Sequence, residues 1–360
     1  PAPELASRYS RLANGGTGTI VTGFLYVSPD GRAMQPHQAG MEADYRIAQW
    51  RAIVAAFRAE TPRVCLVAQL AHAGRQTRSE ATNCQVVGAS TRPCRYFREP
   101  VHALDERGIQ SIIASFAQAA TRAKAAGFDA VQLHAAHGYL LHQFLSPSTN
   151  RRVDPWRDGV RLLEAIVEAT RQACGPAFPI LVKLSWAEDA TPGIRLTETV
   201  RTVKRLQEAG VDAVEISYGT MEVPFNIFRG DHPIRAAMAI NPMFRDRPPI
   251  QRLIARAVVW SLARRCKPFK TNYNMAAAAK IKRETGLAVV VVGGIRTPDN
   301  VHDCLIANGL DAVALCRPLI RNPELPDAWR KGNPTASSCT NCNLCAIHCD
   351  SPRPTQCHHP

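Results

Sequence analysis

Three histidines stand close together in an otherwise apolar stretch of the sequence. They are His134, His137 and His142, within VQLHAAHGYLLHQFL at 131–145. A buried imidazole needs hydrogen-bond partners for both ring nitrogens, so an apolar core rarely accepts three so close together. Two imidazole N–H groups aimed at one oxygen can stabilise negative charge that develops there during a reaction. His134 and His137, where a strand is predicted to end, therefore indicate a reaction centre, whereas His142 is predicted to be structural.

A cluster of cysteines closes the sequence. Cys339, Cys342 and Cys345 form C-x2-C-x2-C and are followed by Cys349 and Cys357, while the other cysteines are scattered singly. A disulfide scaffold spreads its cysteines over a small domain, whereas a terminal cluster is typical of metal ligation in a reducing compartment. Four such thiolates suit a [4Fe–4S] cluster or zinc. The sequence leaves iron–sulfur, zinc and no metal open, and it predicts a cytoplasmic protein.

A recurring pentapeptide indicates the elements that must position these side chains. GFDAV at 127, GVDAV at 210 and GLDAV at 309 each follow a helical pattern and lead into an apolar run. The glycine ends a helix, the aspartate turns the chain, and a β-branched strand follows. Together with similar runs they predict seven strands at 17–24, 64–70, 130–135, 180–186, 213–219, 288–295 and 312–318.

Alternating helices and strands that are apolar on both faces predict a parallel sheet covered by helices. An open doubly wound sheet is the alternative, but no G-x-G-x-x-G follows any strand. We therefore predict a (β/α)8 TIM barrel over residues 1–330 and a cysteine-rich tail over 331–360. Since seven strands are one short of a barrel, the first strand is expected upstream of Pro1.

Polar residues recur at the predicted carboxyl ends of the strands. They are Gln69, His134, Lys183, Glu215 and Arg317. Barrel enzymes place their active sites at this edge. The sequence therefore predicts that these side chains meet at one end of the barrel.

The net charge of +14 comes mostly from dispersed arginines. Dispersed basic residues with few interleaved aromatics favour a solvated surface over a nucleic-acid site, although polyanion binding stays an alternative. No apolar run approaches the roughly 20 residues that cross a bilayer. We expect a small-molecule partner, with neither a nucleic-acid nor a membrane partner, and we expect the segment at 220–275 to cover or flank the pocket.

Several motifs resemble the old yellow enzyme family from the first helix onward. They are AQLAHAGRQ (68–76), LHAAHGYLLHQFLSPSTNRR (133–152), LVKLS (181–185), VVGGIRTPDNV (291–301) and ALCRPLIRNPEL (314–325). The resemblance implies a (β/α)8 barrel that binds FMN, uses NAD(P)H and reduces electron-poor alkenes. It also implies that His134 and His137 hold the acceptor oxygen and that Tyr139 donates a proton to carbon, with simple hydrogen bonding by Tyr139 as the alternative.

The same resemblance implies the FMN contacts. Gln69 would serve the pyrimidine edge, Thr22 and Gly23 would lie beside the ring, and Lys183, where many relatives carry arginine, would stabilise charge near N1. The phosphate contacts would be Gly293, Gly294, Cys316 and Arg317, with Cys316 standing where many relatives have glycine. An ion pair with Glu215 is the alternative role for Lys183.

The tail resembles that of dienoyl-CoA reductases and trimethylamine dehydrogenase-like enzymes. This implies Cys339, Cys342, Cys345 and Cys357 as ligands of a [4Fe–4S] cluster, with Cys349 spare. Three functions follow as hypotheses: a ping-pong ene-reductase, a module that passes electrons from FMN through the cluster to a partner protein, and a polyanion-binding protein with a zinc-bound tail. A homo-oligomer is compatible with each.

Overall fold

A parallel sheet covered by helices organises the chain. The computed structural model describes residues 3–35, 37–351 and 353–359. Among these residues the strands are β1 Thr19–Val21, β2 Leu25–Tyr26, β3 Cys65–Ala71, β4 Val87–Gly88, β5 His102–Ala103, β6 Ala130–Ala135, β7 Ile180–Ser185, β8 Ala213–Ser217, β9 Ala288–Val292 and β10 Ala312–Ala314. The main sheet runs β1-β3-β6-β7-β8-β9-β10 with every neighbour parallel, and β2 extends it beside β3.

Helices connect the strands along the described chain. They are α1 Glu4–Asn14, α2 Tyr45–Glu60, α3 Ser79–Thr82, α4 Glu106–Ala126, α5 Leu140–Leu145, α6 Val160–Cys174, α7 Leu196–Glu208, α8 Pro224–Ile227, α9 Ile234–Ile240, α10 Pro242–Arg245, α11 Pro249–Ala263, α12 Met275–Thr285, α13 Pro298–His302, α14 Arg317–Arg321, α15 Leu325–Arg330 and α16 Leu344–Ile347. Short 3₁₀ segments span Pro29–Gly31, Pro155–Arg157 and His348–Asp350, and a π segment spans Asp303–Ala307. Within the described ranges, no helix is both long enough and apolar enough to cross a membrane.

Burial on both faces explains why the central strands are apolar throughout. All residues of β6 are buried, and the core joins its Val131 and Leu133 to α4 and α6 residues such as Phe116 and Ile166. Each such Val, Leu, Ile or Phe contributes roughly 1.5–3 kcal/mol when it is fully buried. The sheet is therefore a rigid support for side chains at its ends.

The repeated G-x-D-A-V pentapeptides lock each helix to the next strand. The glycine has positive φ at the end of its helix, and the aspartate accepts a hydrogen bond from the N–H at the start of the neighbouring strand and pairs with a basic side chain. The three sets are Gly127, Asp129, Leu66 and Arg58; Gly210, Asp212, Ile180 and Arg171; and Gly309, Asp311, Val289 and Lys282. Because each aspartate satisfies an otherwise unpaired backbone donor, the motif fixes where the strand begins.

The predicted barrel class is confirmed, with local differences. The predicted strand at 17–24 is shortened to β1, because the Thr22 hydroxyl accepts the Gln69 N–H at 3.1 Å in place of a backbone carbonyl. Strand β2 lies beyond the predicted range. Strand β10 ends before residue 318, since Arg317 begins helix α14. The small sheet of β4 and β5 had no sequence signal. In the described chain the edge strands β1 and β10 do not pair with each other, and the expected strand upstream of Pro1 stays a prediction.

The cysteine-rich tail packs on the carboxyl ends of β9 and β10. Ser337 N donates to the Arg296 carbonyl at 2.8 Å, and Arg317 donates to Asn343 Oδ1 at 2.6 Å. Asn343 Nδ2 in turn donates to the Phe228 and Asp231 carbonyls, both at 2.9 Å. The tail thus adjoins the edge of the barrel where the candidate site lies, and the division at residue 330 stays a prediction.

Candidate active site

Strand register brings the predicted polar residues to one end of the barrel, called here the mouth. Gln69 lies opposite Gln132, His134 opposite Lys183, and Lys183 opposite Glu215. Since the strands are parallel, their carboxyl ends share one edge. The sheet therefore brings together side chains that are spread over some 150 residues of the sequence.

A buried chain of hydrogen bonds crosses the floor of the mouth. Gln69 Nε2 donates to Gln132 Oε1 at 2.6 Å, and Gln132 Nε2 donates to Glu215 Oε2 at 2.9 Å. Lys183 Nζ donates to Glu215 Oε1 at 2.6 Å, which is the ion pair named as its alternative role. Each polar group therefore has a partner, and the Lys183 charge is matched by a carboxylate.

His134 and His137 form an edge-to-face pair at the mouth. Their ring centroids are 5.1 Å apart at 83°. The Ala136 N–H points at His134 Nδ1 at 3.3 Å, so Nδ1 is the acceptor and Nε2 carries the proton of the neutral ring. His137 Nε2 lies 2.8 Å from Ser217 Oγ, and either atom can be the donor.

The backbone of His137 is held in an unusual conformation. Its φ is +62°, in the left-handed region that side chains rarely adopt. Three hydrogen bonds hold it there: His137 N to Ser185 Oγ at 3.1 Å, Met221 N to the His137 carbonyl at 2.9 Å, and Gln76 Nε2 to the same carbonyl at 3.1 Å. Such over-determined strain is found at functional sites.

Both imidazoles are neutral near pH 7. Burial, then the Lys183 cation and His142, lowers the pKa of His134 well below 6.5. Burial and the neighbouring His134, Lys183 and His142 do the same to the pKa of His137. A neutral imidazole donates through one nitrogen only, so the pair can offer two directed N–H groups without carrying charge.

Tyr139 completes this group of side chains. Its ring is 5 % exposed and lies 5.1 Å from His134 and 5.2 Å from Phe24 between centroids. Gly138 precedes it at φ +81°, where an added Cβ would come within 2.1 Å of Gln76 Nε2. The tight turn therefore requires glycine and aims Tyr139 at the histidine pair.

Thr22 and Gly23 lie at the break between β1 and β2. Thr22 is buried and bonded to Gln69 through its hydroxyl, so it supports the strand that carries Gln69. A Cβ added at Gly23 would meet nothing within 4 Å. Packing therefore does not require glycine at this exposed position.

Packing within the chain itself explains why glycine occupies positions 293 and 294. Their φ values are +125° and +82°, and added Cβ atoms would come within 2.5 Å of the Tyr273 ring and 2.4 Å of the Lys270 carbonyl. Both positions thus require glycine because the segment at 270–274 passes close by. This packing explains the pair without a ligand, so their predicted phosphate contact stays a prediction.

Three arginines converge beside these glycines. Arg317 Nη1 donates to the Arg229 carbonyl at 3.0 Å, and the Arg229 guanidinium lies 4.3 Å above the Tyr273 ring. Burial lowers the pKa of Arg229, and burial and the nearby Arg317 lower that of Arg296. Arg296 Nε is buried without a hydrogen-bond partner.

This arginine cluster forms no ion pair with a carboxylate among the described residues. In the part of the chain that the structure describes, none of Arg229, Arg296 and Arg317 forms an ion pair with Asp or Glu. Buried cations are normally paired. The cluster therefore favours binding of an anion.

The exposed Cys316, predicted to contact the phosphate, adjoins Arg317 and stands at the N-cap position of helix α14.

The predicted metal ligands share one cavity. Cys339, Cys342, Cys345 and Cys357 line it together with Arg317. Burial raises the pKa of the Cys345 thiol to about 12. Over residues 3–35, 37–351 and 353–359, no three Cys, His, Asp or Glu side chains already stand in metal-binding geometry. The four predicted ligands therefore line the same cavity, although they do not stand in metal-binding geometry.

Sequence reasoning missed several residues of this site. Gln132 had a signal, because it lies two residues before His134 on the same face of β6. Ser217 ends β8, one strand beyond Lys183. Arg229 and Arg296 gave no comparable signal, since they come from a long loop and from the residue after a G-G-I turn.

The fold and the mouth define a class of protein: a TIM barrel with a paired-histidine site at the carboxyl ends of its strands. The profile of the "NADH:flavin oxidoreductase / NADH oxidase family" matches residues 3–236. The chain belongs to this family, which confirms the resemblance seen in its motifs.

Individual relatives agree with this assignment. The chain is 29% identical to an "NADH oxidase" of Thermoanaerobacter brockii over 96% of its own length and 48% of that protein. It is 30% identical to a "Metal reductase" of Desulforamulus reducens over 98% of its own length and 48% of that protein. The chain thus spans about half the length of these curated relatives. A 2-naphthoyl-CoA reductase structure superposes with a TM-score of 0.78 at 20% identity, covering 97% of this chain and 50% of that one, which supports the fold.

Proposed function

We propose that this chain is the flavin-binding part of an NAD(P)H-dependent oxidoreductase that reduces electron-poor alkenes such as enones, enoates or nitroalkenes. The observation that carries the proposal is the convergence of two neutral imidazoles and Tyr139 at the mouth of a barrel of this family. FMN, when bound, would supply the hydride chemistry, accepting hydride from NAD(P)H and passing it to the acceptor in separate half-reactions.

The residues at the mouth fit this cofactor. The arginine cluster of Arg229, Arg296 and Arg317 would hold the phosphate, since it forms no ion pair with a carboxylate in the described chain and arginine binds phosphate through two N–H groups. Gln69 would meet the pyrimidine edge, and the exposed Gly23 would lie beside the ring. Lys183, paired with Glu215, would lie near N1.

The histidine pair would hold the acceptor's carbonyl or nitro oxygen. His134 would present Nε2–H, and the neutral His137 ring, held at Nε2 by Ser217, would present its one N–H. These donors would be fixed by the fold before the substrate arrives. Each would therefore stabilise the charge that develops on that oxygen by roughly 3 kcal/mol.

Tyr139 would protonate the carbon of the resulting enolate. A phenol with an ordinary pKa near 10 carries its proton at pH 7 and can transfer it to carbon. The Tyr139 ring packs against His134, so Tyr139 belongs to the same site as the histidine pair. None of the twelve cysteines forms a disulfide, which is compatible with the cytoplasmic setting that we propose.

Anaerobic stopped-flow kinetics tests the proposal with full-length protein. We expect NADPH or NADH to bleach the flavin band, and 2-cyclohexenone to restore it. His134→Ala should slow the second step by about 100-fold, because one oxygen donor is lost, and leave the first nearly unchanged. His102→Ala, on an exposed strand, is the matched control. Equal rates of enone reduction in wild type and His134→Ala would refute the assigned role.

Transfer of electrons from FMN through the tail is the second candidate function. The specific observation in its favour is that Cys339, Cys342, Cys345 and Cys357 line one cavity with Arg317, next to the proposed phosphate site. A partner protein would then be the acceptor in place of an alkene.

A further inference from the structure

Helix α11 exposes an apolar surface that the proposed reaction does not use. Its large apolar side chains are half to three-quarters exposed: Ile250 71%, Leu253 62%, Ile254 60%, Val258 53%, Trp260 54% and Leu262 50%. Soluble surfaces normally scatter such residues singly. Here they follow one another along a single helix of 15 residues.

The exposed residues lie on the side of α11 that faces away from the protein. Ile250, Leu253, Ile254, Ala257 and Val258 follow the spacing of three and four residues that places side chains on one helical face. The inward side consists of Ala255, Val259 and Ala263, which are the partly or fully buried positions of the helix. The small residues dock the helix, while the large apolar ones point to solvent.

Arginines accompany this apolar face along α11. Arg264 and Arg265 lie at its carboxyl end, whereas Arg252 and Arg256 share the spacing of Val259 and Ala263 and lie on the other side of the helix, where they are exposed. In the described ranges these four arginines form no ion pair, whereas the nearby Arg245 and Lys267 do. No Asp or Glu occurs between Arg247 and Arg283. The helix therefore carries uncompensated positive charge in addition to its apolar face.

Trp260 and Arg264 form a further feature of this surface. The Arg264 guanidinium lies 4.3 Å above the Trp260 ring, while both side chains stay exposed. Tryptophan and arginine side chains combine apolar area with a polar end, and both are favoured at the boundary between water and lipid.

We propose that α11 lies on an anionic lipid surface. Its length of about 22 Å, at 1.5 Å per residue, suits a helix in the plane of a membrane. The apolar face would enter the acyl boundary and the arginines would meet negative headgroups. A second copy of this chain fits less well, because a two-fold contact through α11 would bring together two helices that each carry four arginines and no carboxylate.

This surface departs from the expectation of no membrane partner. That expectation rested on the lack of an apolar run long enough to cross a membrane. A helix that lies on the membrane surface needs only one apolar face, and arginines can interrupt its sequence. The proposal is independent of the alkene reductase activity, since α11 contributes no residue to the mouth.

Vesicle flotation with the full-length protein tests it. We expect the protein to float with vesicles of phosphatidylglycerol and phosphatidylcholine in equal parts, and to remain at the bottom with phosphatidylcholine alone. Binding should weaken as sodium chloride rises from about 0.1 M to 0.5 M, because salt screens the headgroup attraction.

Two variants separate the charged and apolar contributions. Arg252→Glu/Arg256→Glu and Leu253→Ser/Ile254→Ser should each weaken vesicle binding by at least about tenfold. Arg201→Glu and Val153→Ser are matched controls, because both residues are exposed elsewhere on the surface, and they should bind like wild type. Flavin content and NADPH oxidation should be unchanged in all four.

A different partner for the apolar face of α11 would give different results. Light scattering that shows a dimer dissociating in Leu253→Ser/Ile254→Ser, without vesicle binding by wild type, would assign the face to a second copy. Flotation that is equal in wild type and both α11 variants, or equal on both kinds of vesicle, would also overturn the lipid proposal.

Discussion

Two histidines that carry no charge, one buried and one half-buried, define the chemistry at the residue scale. Burial lowers the pKa of both His134 and His137 well below 6.5, so each ring offers one N–H near neutral pH. Contacts outside the rings hold them in place: the Ala136 N–H makes His134 Nδ1 the acceptor, and Ser217 Oγ pairs with His137 Nε2. The sequence could predict the pair from its spacing, but it could not predict these partners, which arrive from other strands or turns.

The depressed pKa values make stability depend on pH in a defined direction. Below about 6.5 the unfolded chain binds protons at these two positions while the folded chain does not, so the free energy of unfolding falls as pH drops through that range. It is unaffected by these groups above pH 6.5, where both states are neutral. We expect urea midpoints to fall between pH 7.5 and pH 5.5, and to fall less in His134→Asn/His137→Asn. His102→Asn is the exposed control. An equal pH dependence in the double variant and wild type would mean that the two rings are protonated in the folded protein.

At the scale of elements, strand starts were predictable and strand connections at the mouth were not. The β6, β7 and β8 strands begin where the apolar runs and G-x-D-A-V signals placed them, because the glycine that ends a helix, the turn and the start of the following strand lie within a few residues of one another. The arginine cluster depends on the segments at 226–230, 270–274 and 293–296 meeting in space. Such distant packing leaves no periodic pattern in a sequence.

Gly294 tests the packing of the 270–274 segment against β9. Gly294→Ala would combine left-handed strain with a 2.4 Å approach to the Lys270 carbonyl, so we expect the free energy of unfolding to fall by about 3 kcal/mol. Gly286→Ala has φ +72° but open space around its Cβ, so it should lose only about 1 kcal/mol. Urea unfolding measures both. Equal losses would show that the segment yields freely and does not press on Gly294.

For the whole molecule, the tail joins the barrel where the proposed phosphate site lies. Cys345 is half-buried beside Arg317 and the other predicted ligands, whereas Cys349 is exposed and bonded to the Cys345 carbonyl. The spacing of the cysteines predicted their clustering. It could not predict that Asn341 and Asn343 would fix the tail to Arg296 and Arg317.

Metal analysis distinguishes ligands from bystanders in this tail. We expect protein purified without oxygen to contain iron and acid-labile sulfide, Cys345→Ser to lose both, and Cys349→Ser to retain both. Zinc in place of iron would assign a structural site. Metal content that is the same in the two variants would contradict the ligand set of Cys339, Cys342, Cys345 and Cys357.

Binding of FMN compared with riboflavin tests the central claim most directly. Equilibrium titration of full-length protein should show one FMN per chain and much weaker binding of riboflavin, which lacks the phosphate. Arg296→Gln/Arg317→Gln should weaken FMN binding by at least about tenfold and leave riboflavin binding unchanged, because these arginines would contact only the phosphate. A full-length protein that stays unbound in excess FMN, or that binds both compounds equally, would contradict the account.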